Sequence, residues 1–185
     1  MTRFGRNLWI CSALSMLTAG ILCNRVKADV GQREPLWEQT DFSAEYDTVV
    51  HPVPLPESVL QILRNDRHVS LAMKGNDIPP DRLPPKEWFA ASEIHLGRPV
   101  ERDLVVMGVN GLRGANVNTF WVFRKTAERY ELVLHVAVHD LKALESKSNG
   151  YRDIQTWSST AVTHTTLLFK FDGRQYQLAE KKTEP

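Results

Sequence analysis

The sequence predicts an α+β fold, in which an antiparallel β meander made of two related hairpins carries one or two short helices on one face. Three patterns lead to this prediction. Similar strand-turn-strand segments occupy residues 102–132 and 152–178. Residues 130–138 alternate between apolar and polar side chains, which is typical of a half-buried strand. In residues 59–63, apolar side chains recur at helical spacing instead.

The two hairpins match best at their ends. Residues 102–104 (Arg-Asp-Leu) open the first and residues 152–154 (Arg-Asp-Ile) open the second, an offset of 50 positions. The closing residues 130–132 (Tyr-Glu-Leu) and 176–178 (Tyr-Gln-Leu) are offset by 46 positions. We therefore expect a duplicated β unit whose second copy has a shorter loop. Successive short strands joined by turns favour an antiparallel meander over βαβ units.

The first 28 residues have the features of a secretory signal peptide. Arg3 and Arg6 precede the mostly apolar residues 8–23, and Val26-Lys27-Ala28 resembles a cleavage site. Polar residues interrupt the apolar run, whereas a stable membrane span needs about 20 apolar residues. We expect cleavage after residue 28, which leaves residues 29–185 as a single domain without a stable membrane span. An uncleaved anchor is the alternative interpretation.

The composition of residues 29–185 narrows the classes of partner. Four of the 23 Lys and Arg residues lie in the first 28 positions, so 19 remain against 22 acidic residues, a formal charge of −3. A mildly acidic chain without a basic run argues against nucleic acid as a partner. Both cysteines, Cys11 and Cys23, belong to the signal segment, so neither a disulfide nor thiol chemistry is expected. These features predict a periplasmic or secreted protein, and export without disulfides favours a bacterial envelope.

The remaining elements are assigned from local patterns. Residues 29–47 have no clean period and predict a surface arm or a single strand. We expect a helix over residues 56–66, with proline at its first turn. Residues 76–85 contain four prolines and predict a linker. A second short helix begins at Pro85, and residues 92–96 form a first strand.

In the C-terminal half, residues 104–107 predict a buried strand. The alternation in residues 130–138 places Tyr130, Leu132, Leu134, Val136 and Val138 on one face. Asn149-Gly150 and Asp172-Gly173 predict tight turns.

The residues of both hairpins, in particular 103–106, 149–154 and 171–176, resemble a degenerate form of FG-GAP/VCBS-type repeats, as found in small bacterial envelope proteins. The resemblance covers about half of the chain. It implies β-hairpin architecture and a binding role, and it implies neither catalysis nor a metal. Calcium-binding members have an acidic loop before the Asp-Leu pair, whereas residues 96–102 here contain one acidic residue. Two copies are also too few to close a propeller, which needs about four blades.

The residues that carry chemistry form no catalytic or metal-binding set in the sequence. His135 and His139 would lie about 13 Å apart along a strand, too far for one metal ion unless the strand bulges. His164 on the second hairpin could join one of them, but nothing in the sequence fixes three converging ligands. The glycine-rich residues 108–114 are followed by a strand, whereas a phosphate loop precedes a helix. There is no Gly-x-Ser-x-Gly elbow. The tryptophans Trp37, Trp88, Trp121 and Trp157 are interpreted as core or half-buried residues in preference to a sugar platform. We predict no cofactor and no metal.

The function predicted is that of a non-enzymatic binding or accessory protein, such as an inhibitor- or immunity-type protein. Its partner would be an unknown protein or envelope component. The long loops of the two hairpins would leave equivalent strands at one end of the sheet, and loops on a rigid scaffold often bind partners. The candidate ligand-binding residues in these loops are Asn110, Arg113, Asn116, Asn118, Trp157, Ser158 and His164. The alternative is a small secreted hydrolase that uses polar His, Ser and Asp residues.

Overall fold

The computed structural model describes residues 38–97 and 100–185 of the chain. Within these ranges it has two α-helices and nine strands, and all strand pairs are antiparallel. The predicted α+β meander is therefore confirmed. The signal peptide predicted over residues 1–28, the first part of the predicted arm and Trp37 lie outside the described residues. No helix in the described ranges is long and apolar enough to cross a membrane.

The strands form two sheets, which we call sheet I and sheet II. Sheet I has the order β2-β3-β4-β5, and sheet II has the order β1-β6-β7-β8-β9. The strands of sheet I are β2 (Phe89–Ile94), β3 (Asp103–Gly108), β4 (Asn118–Lys125) and β5 (Tyr130–Val138). Those of sheet II are β1 (Asp41–Ser43), β6 (Asp140–Ser148), β7 (Tyr151–Ser159), β8 (His164–Phe171) and β9 (Tyr176–Glu184). The chain passes from sheet I to sheet II through His139 alone.

Two apolar cores follow from the alternation of side chains along sheet I. One face, with Val105, Phe120 and Val122, packs against sheet II and forms the inter-sheet core. The opposite face, with Val106 and Trp121, packs against the helices and forms a helix-side core. Because both faces are covered, every residue of β3 is buried, which explains why its sequence reads as a continuous apolar run.

The helical layer consists of α1 (Glu57–Arg64) and α2 (Arg67–Gly75). Helix α1 lies within the predicted residues 56–66, but α2 was not predicted. Asp66 separates the two helices because its side chain accepts hydrogen bonds from the backbone N–H groups of His68 and Val69 and so caps α2. The other carboxylate oxygen of Asp66 accepts a hydrogen bond from the indole of Trp121 at 3.2 Å. This capping residue therefore also fixes the helices to sheet I.

The region after the helices differs from the prediction in the type of one helix and in the start of one strand. The short helix expected from Pro85 is a single 3₁₀ turn, Lys86–Trp88. The following strand begins at Phe89 instead of Ser92, because Phe89 packs in the helix-side core and the segment continues directly into sheet I. Residues 76–85 contain no helix or strand, as expected for a linker with four prolines.

A β-bulge breaks the predicted alternation of β5. The register with β4 shifts between Val122, which pairs with Leu134, and Phe123, which pairs with Leu132. An extra residue in one strand moves the following side chains to the other face. Leu134 is therefore in the inter-sheet core, whereas Tyr130 packs against the helix-side core and Leu132 is 38% exposed. The single apolar face expected for residues 130–138 is wrong at these two positions.

The units β2–β5 and β6–β9 pair with corresponding registers. Equivalent pairs are Glu93–Leu104 and Ala143–Ile154 in the first two strands, and Phe123–Leu132 and Phe169–Leu178 in the last two. The last strand pair of each unit also contains a register shift at the same place, before Phe123 in one unit and before Phe169 in the other. The offsets of 50 and 46 positions seen in the sequence therefore recur in the strand pairing.

Equivalent polar residues nevertheless have different roles in the two units. Arg152 is 1% exposed, whereas the side chain of Arg102 is 43% exposed and contacts Glu93 at 3.5 Å. The buried guanidinium of Arg152 donates hydrogen bonds to Ala143 O, Leu144 O, Glu145 Oε1 and Glu38 Oε2. A buried charge requires such partners, because an unpaired one is costly.

Asp103 makes the corresponding buried contact in sheet I. Its carboxylate accepts hydrogen bonds from the backbone N–H groups of Leu96, at 3.1 Å, and Lys125, at 2.8 Å. Burial raises the pKa of Asp103 to about 6, although these two hydrogen bonds act in the opposite direction. The backbone N–H of Arg152 donates to Leu96 O at 2.7 Å, so the buried aspartate and the buried arginine support the same connection between the sheets.

Truncation of either core is expected to destabilise the fold. Phe123 and Leu134 are 0% and 7% exposed, and each lies in a different core. We expect Phe123→Ala and Leu134→Ala each to lower the free energy of unfolding by about 2–5 kcal/mol, measured by urea denaturation. Leu178→Ala is the control, because Leu178 is 53% exposed and should lose less than about 1 kcal/mol. Losses of that small size at both core positions would contradict the assignment of the two cores.

The raised pKa of Asp103 predicts a specific pH dependence of stability. The pKa is about 6 in the folded protein against an ordinary value of 3.8, so the folded state binds this proton more tightly than the unfolded state. The stability that this group contributes is present below pH 3.8 and is lost as the pH rises through about 6. The maximum effect is about 3 kcal/mol, at about 1.4 kcal/mol per pH unit.

Asp103→Asn removes the titrating group and isolates this effect from the other carboxylates. Between about pH 4 and pH 7.5, the free energy of unfolding of the wild type should fall by about 1–3 kcal/mol relative to that of the variant. Urea denaturation of both proteins at the two pH values measures the difference. If the two proteins change in parallel with pH, Asp103 does not titrate in this range.

Candidate functional site

The two long loops of the hairpins lie at the same end of the molecule, which we call the loop end. Asn118, which follows the first loop, pairs with Val138 at the end of β5. One residue separates Val138 from Asp140, and Asp140 pairs with Trp157 near the start of the second loop. The strand pairing therefore brings residues 109–117 and residues 160–163 to the end where the chain crosses between the sheets.

Residues 44–50 cross the loop end as a strap, which the sequence did not predict as part of a site. The backbone N–H of Ala44 donates to His139 O at 2.7 Å. At the other end of the strap, the N–H of Val50 donates to the side-chain oxygen of Gln39 at 2.7 Å. Between these attachments Tyr46 is 63% exposed. Nothing in the local sequence marks this segment, because its position depends on contacts with residues far away in the chain.

The candidate residues of the first loop have three different environments. Asn110 has a positive φ of 48°, and its side-chain amide donates to Glu87 O. Arg113 donates to Ala44 O at 3.4 Å and forms an ion pair with Asp47. Asn116 is exposed. Arg113, a candidate ligand-binding residue, therefore contacts the strap through both its hydrogen bond and its ion pair.

The candidate residues of the second loop are grouped around Trp157. The ring of His164 stacks on the half-buried indole, with 5.6 Å between centroids and an interplanar angle of 15°. His139 makes an edge contact with the same indole at 5.3 Å and 89°. Ser158, the next residue of β7, is half-buried and belongs to the opposite face of sheet II, because successive strand residues point to opposite faces.

Asn118 is the predicted site residue whose environment differs most from expectation. It is 1% exposed and lies at the start of β4, so it is not a solvated loop residue. Neither its side-chain oxygen nor its side-chain nitrogen has a hydrogen-bond partner. Buried polar groups in folded proteins are almost always paired, because an unpaired one costs about 1–3 kcal/mol.

The loop end concentrates such unpaired polar groups. In the described part of the chain, six residues have buried side-chain polar atoms without a partner, and four of these residues are Asn118, His139, Asp140 and Thr156. All four occupy neighbouring positions in the strand pairing around the crossing between the sheets. The fold therefore provides too few hydrogen-bond partners for the buried polar atoms at this end.

A concavity lies between the strap and the outer face of sheet II. Its lining includes the exposed ring of Tyr46, the indole of Trp157 and the carboxylates of Asp41, Glu45 and Asp140. Its other lining residues are Gln39, Ser43, Thr48, Val49 and Val50. The lining residues thus combine aromatic and apolar surface with negative charge, and none of them is Lys or Arg.

The opposite end of the molecule contains a more complete ion-pair network. Arg124 donates to Glu131 at 2.5 Å, and its guanidinium lies 5.4 Å from the ring centroid of Phe171. The hydrogen bond from Arg124 lowers the pKa of Glu131. The charges of Arg124 and Glu131 neutralise each other, although the Nε atom of Arg124 is buried and has no hydrogen-bond partner.

His95 and His135 each lie beside a carboxylate. His95 contacts Glu38 at 2.9 Å, and His135 contacts Asp66 at 3.3 Å and stacks on Trp121. Neither contact includes a hydroxyl group that could act as a nucleophile. Among the described residues, no group of three His, Cys, Asp or Glu residues converges as a metal site.

Comparison with known proteins adds no relative: the chain matches no protein-family model, no curated protein and no solved structure.

Replacing Asn118 by leucine is expected to stabilise the protein. Leucine has nearly the same shape as asparagine and removes the buried polar atoms that have no partner. We expect Asn118→Leu to raise the free energy of unfolding by about 1–3 kcal/mol, measured by urea denaturation. A loss of stability would show that the amide is satisfied in the folded protein in solution.

Proposed function

We propose that this protein is a non-enzymatic binding or accessory protein that acts in the periplasm or as a secreted protein. Its partner is a protein or an envelope component, and it binds at the loop end. Inhibitor- and immunity-type proteins, which cover the surface of an enzyme, belong to this class. The exported location is inferred from residues 1–28 and is not a consequence of the fold.

The observation that carries the proposal is the collection of unpaired polar groups at the loop end. Asn118, His139, Asp140 and Thr156 contribute buried atoms that have no partner in the fold. Residues at functional sites often reduce stability, because they are arranged for a ligand and not for the folded chain. The two apolar cores of the packed sheets and helices can offset this local cost.

The exposed surface at this end has the composition of a binding site. Tyr46 and Val50 are 63% and 69% exposed, and Trp157 lines the concavity beside them. Tyrosine and tryptophan are enriched among the residues that dominate binding energy at protein interfaces. Because one face of the Trp157 indole is covered by His164, a protein surface suits this site better than a stacked sugar ring.

We infer further that the units β2–β5 and β6–β9 are copies of one ancestral unit. The corresponding registers and the equivalent bulges support this inference. The likeness to FG-GAP/VCBS-type repeats remains a proposal that depends on the sequence alone. In either case, the two copies would serve as a scaffold that presents the strap and the loops.

Differential capture tests the binding role. The immobilised wild-type protein is incubated with an envelope extract, and retained proteins are quantified by mass spectrometry. Tyr46→Ala and Trp157→Ala should each weaken retention of a specific partner at least about tenfold, which corresponds to about 1.4 kcal/mol. Arg174→Glu is the control, because Arg174 lies in the turn between β8 and β9 at the opposite end.

The thermal midpoints of all variants must remain close to that of the wild type, so that lost binding is not lost folding. Equal retention of a partner by the wild type, both loop-end variants and the control would show that the partner does not bind at the loop end. Arg113→Glu is unsuitable as a direct test, because it would break the ion pair with Asp47 that holds the strap.

A further inference from the structure

The concavity beside Trp157 is lined by negatively charged side chains and by no positively charged one. Asp41, Glu45 and Asp140 line it, and none of its ten lining residues is Lys or Arg. Asp41 approaches Lys142 at 3.8 Å, but both side chains are more than half exposed, so this pair neutralises little charge. Within the described ranges, neither Glu45 nor Asp140 forms an ion pair.

Asp140 is the least exposed of the three acidic residues. One of its carboxylate oxygens is buried and has no hydrogen-bond partner, although carboxylates in protein interiors normally accept several hydrogen bonds. The residue is held at this position by its pairing with Trp157 on one side and Ser43 on the other. The fold thus places a carboxylate in the concavity without providing the cation to match it.

The aromatic lining also favours a cationic ligand. The ring of Tyr46 is mostly exposed, and an aromatic face attracts a cation within about 6 Å. A neutral apolar ligand would gain from the rings but would bury the carboxylates at a cost. An anionic ligand would be repelled by all three carboxylates.

We propose that this concavity binds an arginine side chain presented by the protein partner. A guanidinium group is planar, can donate two hydrogen bonds to one carboxylate and stacks on aromatic rings, whereas a lysine ammonium is more strongly hydrated and lacks the planar fork. This inference rests on the proposed binding role and specifies the chemistry of the group that the loop end recognises.

Titration of the full-length protein with N-acetyl-arginine amide tests the inference without a known partner. The indole N–H resonance of Trp157 is followed by NMR and assigned by its loss in Trp157→Phe. We expect a saturable shift with a Kd in the millimolar range, about that of a single side-chain contact. N-acetyl-glutamine amide, which is neutral, should cause no saturable shift, and N-acetyl-lysine amide should bind at least about threefold more weakly.

Variants locate the binding to the carboxylates. Asp140→Asn and Glu45→Gln should each raise the Kd for the arginine probe at least about threefold. Glu128→Gln provides the matched control, because it removes the same charge from the exposed turn between β4 and β5 at the opposite end. Glu45 is exposed, so Glu45→Gln remains informative if Asp140→Asn disturbs the fold.

Three results would overturn the inference: no saturable shift with the arginine probe, an equal shift with the glutamine probe, or an unchanged Kd in both carboxylate variants. These results are separate from the capture experiment. If retention of a partner depends on Trp157 but the arginine probe does not bind, the binding role stands and the arginine inference fails. If the probe binds but the loop-end variants retain every partner, the concavity recognises arginine and the proposed function fails.

Discussion

The buried guanidinium of Arg152 is the interaction on which the arrangement of the two sheets depends. Arg152 is 1% exposed, so the surrounding chain must supply the hydrogen-bond acceptors for its positive charge. The contacts come from β6 and from Glu38, the first described residue. The backbone carbonyl of Arg152 also accepts a hydrogen bond from the hydroxyl of Tyr176, and its N–H donates to Leu96 O in the bend after β2. One residue thereby contacts β6, β9, the bend after β2 and the segment before β1.

The requirement to satisfy this charge explains why the two related units are not equivalent. Arg102 occupies the corresponding position in the first unit, but it lies near the surface beside Glu93. In that unit Asp103 is a buried charged residue, and it accepts hydrogen bonds from two backbone N–H groups. Asp103 and the backbone of Arg152 both bind Leu96, from different sides of its peptide groups. At the loop end, by contrast, several buried polar atoms have no such partners.

The strap shows how the scaffold and the candidate site are connected. It begins directly after β1, the added strand at the edge of sheet II, and is attached to His139 between the two sheets. Arg113 reaches it from the first hairpin loop. The site thus combines residues from three separate parts of the chain. Its geometry depends on the packing of both sheets, and no single hairpin could provide it.

The sequence by itself determined the fold class, the buried strand over residues 104–107 and the equivalence of the two hairpins' ends. These properties follow from local patterns: strand period, turn residues and apolar spacing act within a few residues. Helix α2 was missed although its cap, Asp66, is a local signal for a helix start, whereas the contact of Asp66 with the distant Trp121 has no local signal. The faces of Tyr130 and Leu132 were misplaced because a bulge shifts the register without any clear mark in the sequence.

Only the tertiary structure decided which candidate residues meet. It brought Trp157 and His164 together, buried Asn118 and used Arg113 to hold the strap. It also added Tyr46 and Asp140, which lie 94 positions apart in the chain, to the lining of one concavity. The physical reason is that charge compensation and burial are properties of the surroundings in space. A residue type indicates what chemistry is available, whereas its neighbours across the sheets decide whether that chemistry is already satisfied.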